Sequence, residues 1–480
     1  MFNFISYLFL AQASPSPAPE PQEIFVPQQT RPLIGHLDAV PVFNSNNPEV
    51  VQSEGILLST FPPQGKRVPS AHLNFPFQGR FDLFSHHIAR AIETPNDLRT
   101  LYLGVIVYNP SDQTATINIL QAASYVSQPD APFIKLPPMQ SNNSGNIYAG
   151  PGDRVMNDVL RVRRQSGWPA QLVIPPKQSR MLMNHPIPVR TLTPPLNGRS
   201  TLLRLYSDSP VYLANLAMFA KPNPDGSERA PTLEEWENLL ENGDFAGPRE
   251  PAPSPPNQLA GAAEIYGRVA GVAVGSRWQA QVTDSNSSYL TIPESGQAFS
   301  YGLSTLLAGK MGTGQNQTAK LVARYPGTAY EAHGNYGIEY NISLPLFNNT
   351  DKPQTINVLF QTPIKEDELS KPGLRFFSPP QSSVFFRGTV RIRYNDDNGL
   401  PRTQYWHLVQ QRGHMGEPLA QLKISPGQRR LVKVDFLYPP DATPPEMLTI
   451  QTVGETSGRG QTRTKKFIEK RLPARVSPLS

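Results

Sequence analysis

Cysteine is absent from all 480 residues. That excludes disulfides, thiolate metal sites, cysteine nucleophiles and a lipid anchor on cysteine. Long apolar runs are missing too. A membrane helix needs about 18 apolar residues, and a stretch such as LANLAMFA, from Leu213, is too short. Only eight histidines occur, and none is paired at metal-ligand spacing. The adjacent His86 and His87 would point to opposite faces of a strand and could not easily hold one ion. They read as a polar rim.

Proline, by contrast, is abundant, 52 residues, about twice its average share. Proline plus glycine reaches roughly 18%, below the 25–30% of disordered chains. With 38% hydrophobic residues the chain can bury real cores, and its length suggests two to four domains. Proline cannot donate to a sheet ladder or continue a helix, so it belongs in loops, linkers and edge strands. A loop-rich, all-β chain is expected.

The opening MFNFISYLFLAQAS runs apolar from Phe2 to Leu10 and then shows small residues at Ala11 and Ala13. This is the pattern of a secretory signal peptide. No Lys or Arg precedes the run, so either the α-amino group supplies its charge or the start lies upstream. A buried N-terminal strand is the competing reading. The formal charge of +6 is uneven. Residues 456–480 hold Arg459, Arg463, Lys465, Lys466, Lys470, Arg471 and Arg475 against one acid, Glu469. The rest of the chain is therefore neutral, which argues against a nucleic-acid-binding body. The tail is expected to be disordered, with its seven cations as candidate contacts to anionic envelope polysaccharide or lipopolysaccharide.

Two phrases occur twice. QLVIPPKQSRMLM, from Gln171, is echoed by QLKISPGQRRLVK, from Gln421; VYNPSDQTATINIL, from Val107, is echoed by LFNNTDKPQTINVL, from Leu346. Each of the second pair reads as strand, polar turn, strand. In the first pair, Pro426 and Gly427 predict a type II turn, while Lys177 in place of glycine predicts a type I turn. The second half carries a longer hairpin, turning at Asn398-Gly399. Between the halves, PTLEEWENLLENG predicts a helix with a Thr232/Glu235 capping box, an apolar stripe of Leu233, Trp236, Leu239 and Leu240, and Gly243 at its end. A second helix is expected from Asp153, with Val155, Val159 and Val162 on one face.

The fold class expected is all-β: two tandem, duplicated β-sandwiches joined by a short helix and a proline-rich linker. The boundaries are a signal peptide at 1–13, a proline-rich spacer at 14–30, a first sandwich at 31–225, helix and linker at 226–258, a second sandwich at 259–455 and a basic tail at 456–480. Chance similarity between unrelated hairpins is the alternative to duplication.

No catalytic motif stands out. GLSTLLAGKMG, from Gly302, departs from a phosphate-binding loop in spacing, with Met311 where Ser or Thr is required. GTGQNQ, from Gly312, lacks the third glycine of a dinucleotide fingerprint, and no G-x-S-x-G elbow occurs. Glu234 and Glu235 suit a helix start. Asp396 and Asp397 offer too few oxygens for calcium. Trp168, Trp278 and Trp406 could stack on sugars, but burial is the commoner fate. No catalytic residue, metal ligand or cofactor is assigned.

The phrases VPVFNSNNPEVVQSEGILLST, LGVIVYNPSDQTATINILQAASYVSQPDAPF, IYAGPGDRV, ERAPTLEEW and IYGRVAGVAVGSRW resemble an exported cyanobacterial family catalogued only as domain of unknown function 3370. The resemblance runs from about residue 32 to about residue 450. It implies an envelope or extracellular protein and supplies no activity. The expected function is a non-enzymatic, exported protein of the periplasm, outer envelope or cell exterior, with a structural or interaction role. The alternative is a carbohydrate-binding or carbohydrate-active protein.

Overall fold

The computed structural model describes residues 20–91, 98–255 and 265–454. These residues are nearly all sheet, with two α-helices among them, α1 (Pro151–Leu160) and α2 (Leu233–Asn242). In the N-terminal half, Leu196–Phe219 is a 24-residue strand. Its first part pairs with Phe77–Arg90 and Ala115–Val126. After a register break between Ser207 and Val211, its last part pairs with Leu101–Tyr108 and Gly55–Ser59. In the C-terminal half an eight-stranded sheet is centred on Val384–Asn395, Arg429–Leu437 and Glu339–Phe347. A five-stranded sheet holds Ala298–Leu303, Glu446–Thr452 and Gln354–Gln361.

Strand periodicity explains the C-terminal core. Ile342, Leu344 and Leu346 are buried while their alternating neighbours are half-exposed, as one-sided burial of a pleated strand requires. They share a core with Val432, Val434 and Phe436 of the same sheet and with Ile356, Val358 and Phe360 of the five-stranded sheet. Phe360 meets Phe386 and Phe436 across the sheets at centroid distances of 4.5 and 5.5 Å.

The echoed phrases take the same places. Gln171 lies opposite Asn118 and Gln421 opposite Asn357; Ser179 lies opposite Tyr108 and Arg429 opposite Phe347. Asn109 Nδ2 donates to the carbonyls of Gln113 (2.7 Å) and Ile174 (3.0 Å). Asn348 Nδ2 donates to those of Lys352 (2.8 Å) and Ile424 (2.8 Å). The run Pro41–Ser45, Phe77–Arg90, Leu196–Phe219, Ala115–Val126, Gln171–Ile174 matches Gln29–Arg31, Ala298–Leu303, Glu446–Thr452, Gln354–Gln361, Pro418–Ile424. In each run the first pair is parallel and the next three are antiparallel.

Some local expectations need correcting. Lys177 has φ +55°, beside +68° for Gly427, and both turns close with a backbone bond from Gln178 to Pro175 or from Gln428 to Ser425. The turn at Lys177 is therefore not the type I turn expected: its third residue takes the positive φ of a type II turn, as Gly427 does, and Lys177 Nζ is anchored on the Pro110 carbonyl at 2.6 Å. Val162 does not continue the α1 stripe: the helix ends at Leu160, and Val162 has φ +61° and is exposed. Val155 and Val159 are buried as expected. Helix α2 carries its capping box, and Trp236 is fully buried over Gly104, where an added Cβ would lie 2.6 Å from the indole.

Strand pairing crosses the boundary expected at 226–258 in both directions. Ala270–Val274 lies between Pro41–Ser45 and Ala319–Arg324 in the large N-terminal sheet. Met139–Ser141 joins Pro401–Gln411 in the C-terminal one. Part of the expected spacer at 14–30 is sheet as well, since Gln22–Pro27 pairs with Gly373–Ser378. Of the expected linker, Arg249 is tied to the carbonyls of Ile56 and Leu57 at 2.8 and 3.0 Å. Helix α1 packs on both halves, and buried Asp153 meets buried His407 at 2.6 Å across the junction. A second junction contact joins Arg204 to Glu339 at 2.6 Å, with Arg277 at 3.1 Å from the same carboxylate.

Candidate functional site

The residues weighed for chemistry in the sequence are mostly committed to the fold. His87 is fully buried, with Nδ1 2.8 Å from the Pro48 carbonyl and Nε2 3.0 Å from Ser45 Oγ. His86, on the other face, lies 2.8 Å from Ser200 Oγ. Burial pushes His86 down to about 4 and His87 to about 3, so both are neutral at pH 7. Trp168 and Trp278 are buried. Trp406 is half-buried and donates to the Leu419 carbonyl at 2.9 Å. Asp396 accepts from the Asn398 and Leu400 amides and from Arg402, which builds the hairpin turn. Glu235 is held down to about 2, first by its bonds to Arg229, against an opposing push from burial. In the loop after Gly302, the amides of Gly309 and Lys310 donate to Asp367 of the same chain. The seven tail cations, the expected signal peptide and part of the expected linker lie outside the described residues. Among the described residues, no three His, Asp or Glu gather as metal ligands do.

A cleft of about 300 Å³ opens where the halves meet. One wall comes from the end of Pro41–Ser45 and the residue after it. Asn44 and Asn46, two apart on extended chain, face the same side and line it. Ser45 points the other way, to His87 and Asn215. The second wall is Tyr266–Val269, tied alongside by a 2.8 Å bond from the Asn46 amide to the Val269 carbonyl. The third is the turn His333–Tyr336, held by Asn335 at φ +50°, whose Nδ2 donates to the Gln317 carbonyl and Tyr340. Gly334 is required there, because a Cβ would lie 2.4 Å from the Tyr336 ring. Lys365, Thr443 and Pro444 complete the rim.

The chemistry of the cleft is polar and aromatic. Tyr266 and His333 pack ring to ring at 4.3 Å. Burial lowers His333 to about 4, which makes it a neutral ring at pH 7. Arg268 is ion-paired with Glu49. Asn44 and Asn46 are only 5% and 4% exposed. Yet among the described residues neither Oδ1 has a hydrogen-bond partner, and nor has Nδ1 of His333. Buried polar groups normally find partners. A shallower pocket of about 490 Å³ beside Trp168 and His185 differs in this respect. There Arg199 is spent on the Pro186 carbonyl and Ser124, and Trp168 donates to Gln165.

Sequence reasoning did not find this cleft. Two of its three walls lie within phrases that carry the family resemblance, VPVFNSNN and IYGRV, which are more than 200 residues apart in the chain. An unusual run of amide residues, Asn44, Asn46 and Asn47, was the available signal.

The model of a family described as "Protein of unknown function (DUF3370)" matches residues 28–452. No curated protein matches the chain significantly. Among solved structures, Lac15 from a marine microbial metagenome aligns at 11% identity over 80% of this chain, with a TM-score of 0.10. The chain spans 55% of the length of that protein. A tryptophan-to-tyrosine variant of Bacillus subtilis oxalate decarboxylase aligns at 8% identity over 83% of this chain and 81% of its own, also at 0.10. Likenesses that low carry no argument about fold or activity.

Proposed function

The chain belongs to the DUF3370 family of unknown function, and from that premise we propose that it is an exported, non-enzymatic protein of the envelope or cell exterior that acts by binding. The carrying observation is the state of its ionisable groups. A general base works best with a pKa near the operating pH. Yet burial lowers His72, His86, His185 and His333 to about 4 and His87 to about 3. Among the carboxylates, Glu49 is tied to Arg268, and Asp441, which burial raises to about 6, is tied to Arg387 at 2.7 Å. What lines the cleft is amide side chains and an aromatic pair, Tyr266 and His333, the equipment of recognition.

The export part rests on the apolar run Phe2–Leu10 and the small residues after it. The tail cations Arg459 to Arg475 supply a second, salt-sensitive attraction to anionic envelope polymer. The matching contacts of Asn109 and Asn348 support reading the halves as copies of one unit, bound together by exchanged strands. The test is to incubate the purified protein with polysaccharide from the envelope and follow both partners. Retention of polymer without new reducing ends is expected. Appearance of reducing ends would replace this reading with the carbohydrate-active one.

A further inference from the structure

We propose that the pocket beside Trp168 binds an organic monocarboxylate, whose two oxygens lie on the Nε–Nη2 edge of Arg154 in the field of buried Arg199. The inference rests on the binding role above and adds a site and a ligand class to it. Two observations carry it independently: the accessible, unused edge of the Arg154 guanidinium and the positive charge balance around the pocket.

Arg154 stands on the first turn of α1 and is half-buried. Its guanidinium lies over the Tyr125 and Tyr148 rings, 3.9 and 4.5 Å from their centroids, and Nη1 donates to the Asp130 carbonyl. Those contacts fix its place. Among the described residues Nε and Nη2 have no hydrogen-bond partner, and neither atom is sealed from solvent. They are two parallel donors, the fork that a planar carboxylate matches. In the same lining, Arg199 is only 6% exposed. Its bonds go to neutral oxygens, the Pro186 carbonyl and Ser124 Oγ, so they do not cancel its charge. Burial lowers it to about 10, which leaves it charged at pH 7. Among the described residues no acid lines the pocket. Asp158, close by, is paired with Arg163 at 2.9 Å. Asp130, whose Oδ2 accepts from the Val126 amide, acts on Arg199 from a distance. His185 is neutral, since burial lowers it to about 4 and Arg199 adds to the effect. Two guanidiniums less one carboxylate leave one positive charge, which suits a monoanion better than a phosphate dianion. A volume of about 490 Å³ lies within the range of ligand sites. It leaves room for a ring behind the carboxylate, against half-buried His185 and Pro186.

The experiment uses the full chain and ligand-observed saturation-transfer NMR with two carboxylates, benzoate and glucuronate. Methyl glucoside serves as the neutral control, and methyl sulfate and methyl phosphate as the other anions. At least one carboxylate is expected to bind at millimolar concentration, ahead of all three controls. Its affinity should fall roughly tenfold in Arg154→Lys, which keeps the charge and loses the fork, and be lost in Arg154→Met. Arg154 also packs on two rings, so a second variant separates lost contact from lost fold. Ser166 is exposed on the turn that lines the pocket. Ser166→Asp should abolish carboxylate binding and leave the unfolding temperature unchanged. Binding by neither carboxylate overturns the proposal, as does equal binding in Arg154→Met or Ser166→Asp, or preferential binding of any control. Preference for glucuronate over benzoate would assign the site to a uronate unit of a polymer, and the reverse to a free carboxylate. Retention of envelope polymer without any carboxylate response would remove the site and leave the binding role. A carboxylate response without polymer retention would leave the site and remove the polymer as its ligand.

Discussion

Glu339→Gln should cost the protein about 3–5 kcal/mol at pH 7, the loss that follows when one member of a buried ion pair is neutralised. The structure sets that magnitude. Glu339 is 7% exposed and Arg204 5%. Arg204 approaches Oε2 at 2.6 Å, Arg277 approaches the same oxygen at 3.1 Å, and Asn341 donates to Oε1 at 2.8 Å. Burial alone would raise this carboxyl, but the two guanidiniums hold it down to about 2. The variant leaves Arg204 buried beside Asp82, a carboxyl that burial itself raises. Because Glu339 titrates lower in the folded than in the unfolded chain, its contribution is full above about pH 4.5 and is lost as pH falls through about 2. The gap between parent and variant should therefore be widest near neutrality and narrow in acid. Urea unfolding followed by tryptophan fluorescence at several pH values measures it. The double variant Arg204→Met/Glu339→Leu should recover most of the loss. A gap below about 1 kcal/mol at pH 7, or one that does not change with pH, would refute the reasoning.

Further outcomes follow from other sites. The five histidines lowered to about 3 or 4 bind protons more readily unfolded than folded, so stability should drop as pH falls from 6.5 towards 3. In His87→Gln that slope should flatten by an amount on the order of 3 kcal/mol over the range, readable by calorimetry; an unchanged slope counts against a buried neutral ring. Lys177→Gly should stabilise the chain by up to about 1 kcal/mol, since a left-handed lysine is strained where glycine is not, unless the bond to Pro110 outweighs the relief; thermal melts report the sign. Deleting residues 456–480 should leave cooperative unfolding intact and weaken salt-sensitive retention on isolated envelope material. Unchanged retention would end the attachment role of Arg459 to Arg475.

The local features were legible because their causes are local. A Thr232/Glu235 capping box and an apolar stripe dictate α2 on their own. The alternation in Ile342–Leu346 announces a one-sided strand. The Asn109 and Asn348 turns could be matched because each asparagine bonds carbonyls fixed by its own hairpin and the adjoining strand. Partner choice was not legible. Nothing in AGVAV, from Ala270, says that its neighbour is Pro41–Ser45 in the other half, since periodicity reports which face is buried and not which strand lies beside it. Lys177 was misread because φ at that position is set by the strands its turn connects, Tyr108 opposite Ser179 among their pairs, and not by its own preference. The cleft escaped notice for the same reason: unpartnered amides become visible only when three distant segments have met.

The most direct measurement of the central claim is cell fractionation joined to N-terminal sequencing of the recovered protein. An exported binding protein predicts recovery from the envelope or the medium, with Ser14 as the first residue. Recovery from the cytoplasm with Met1 retained would contradict it.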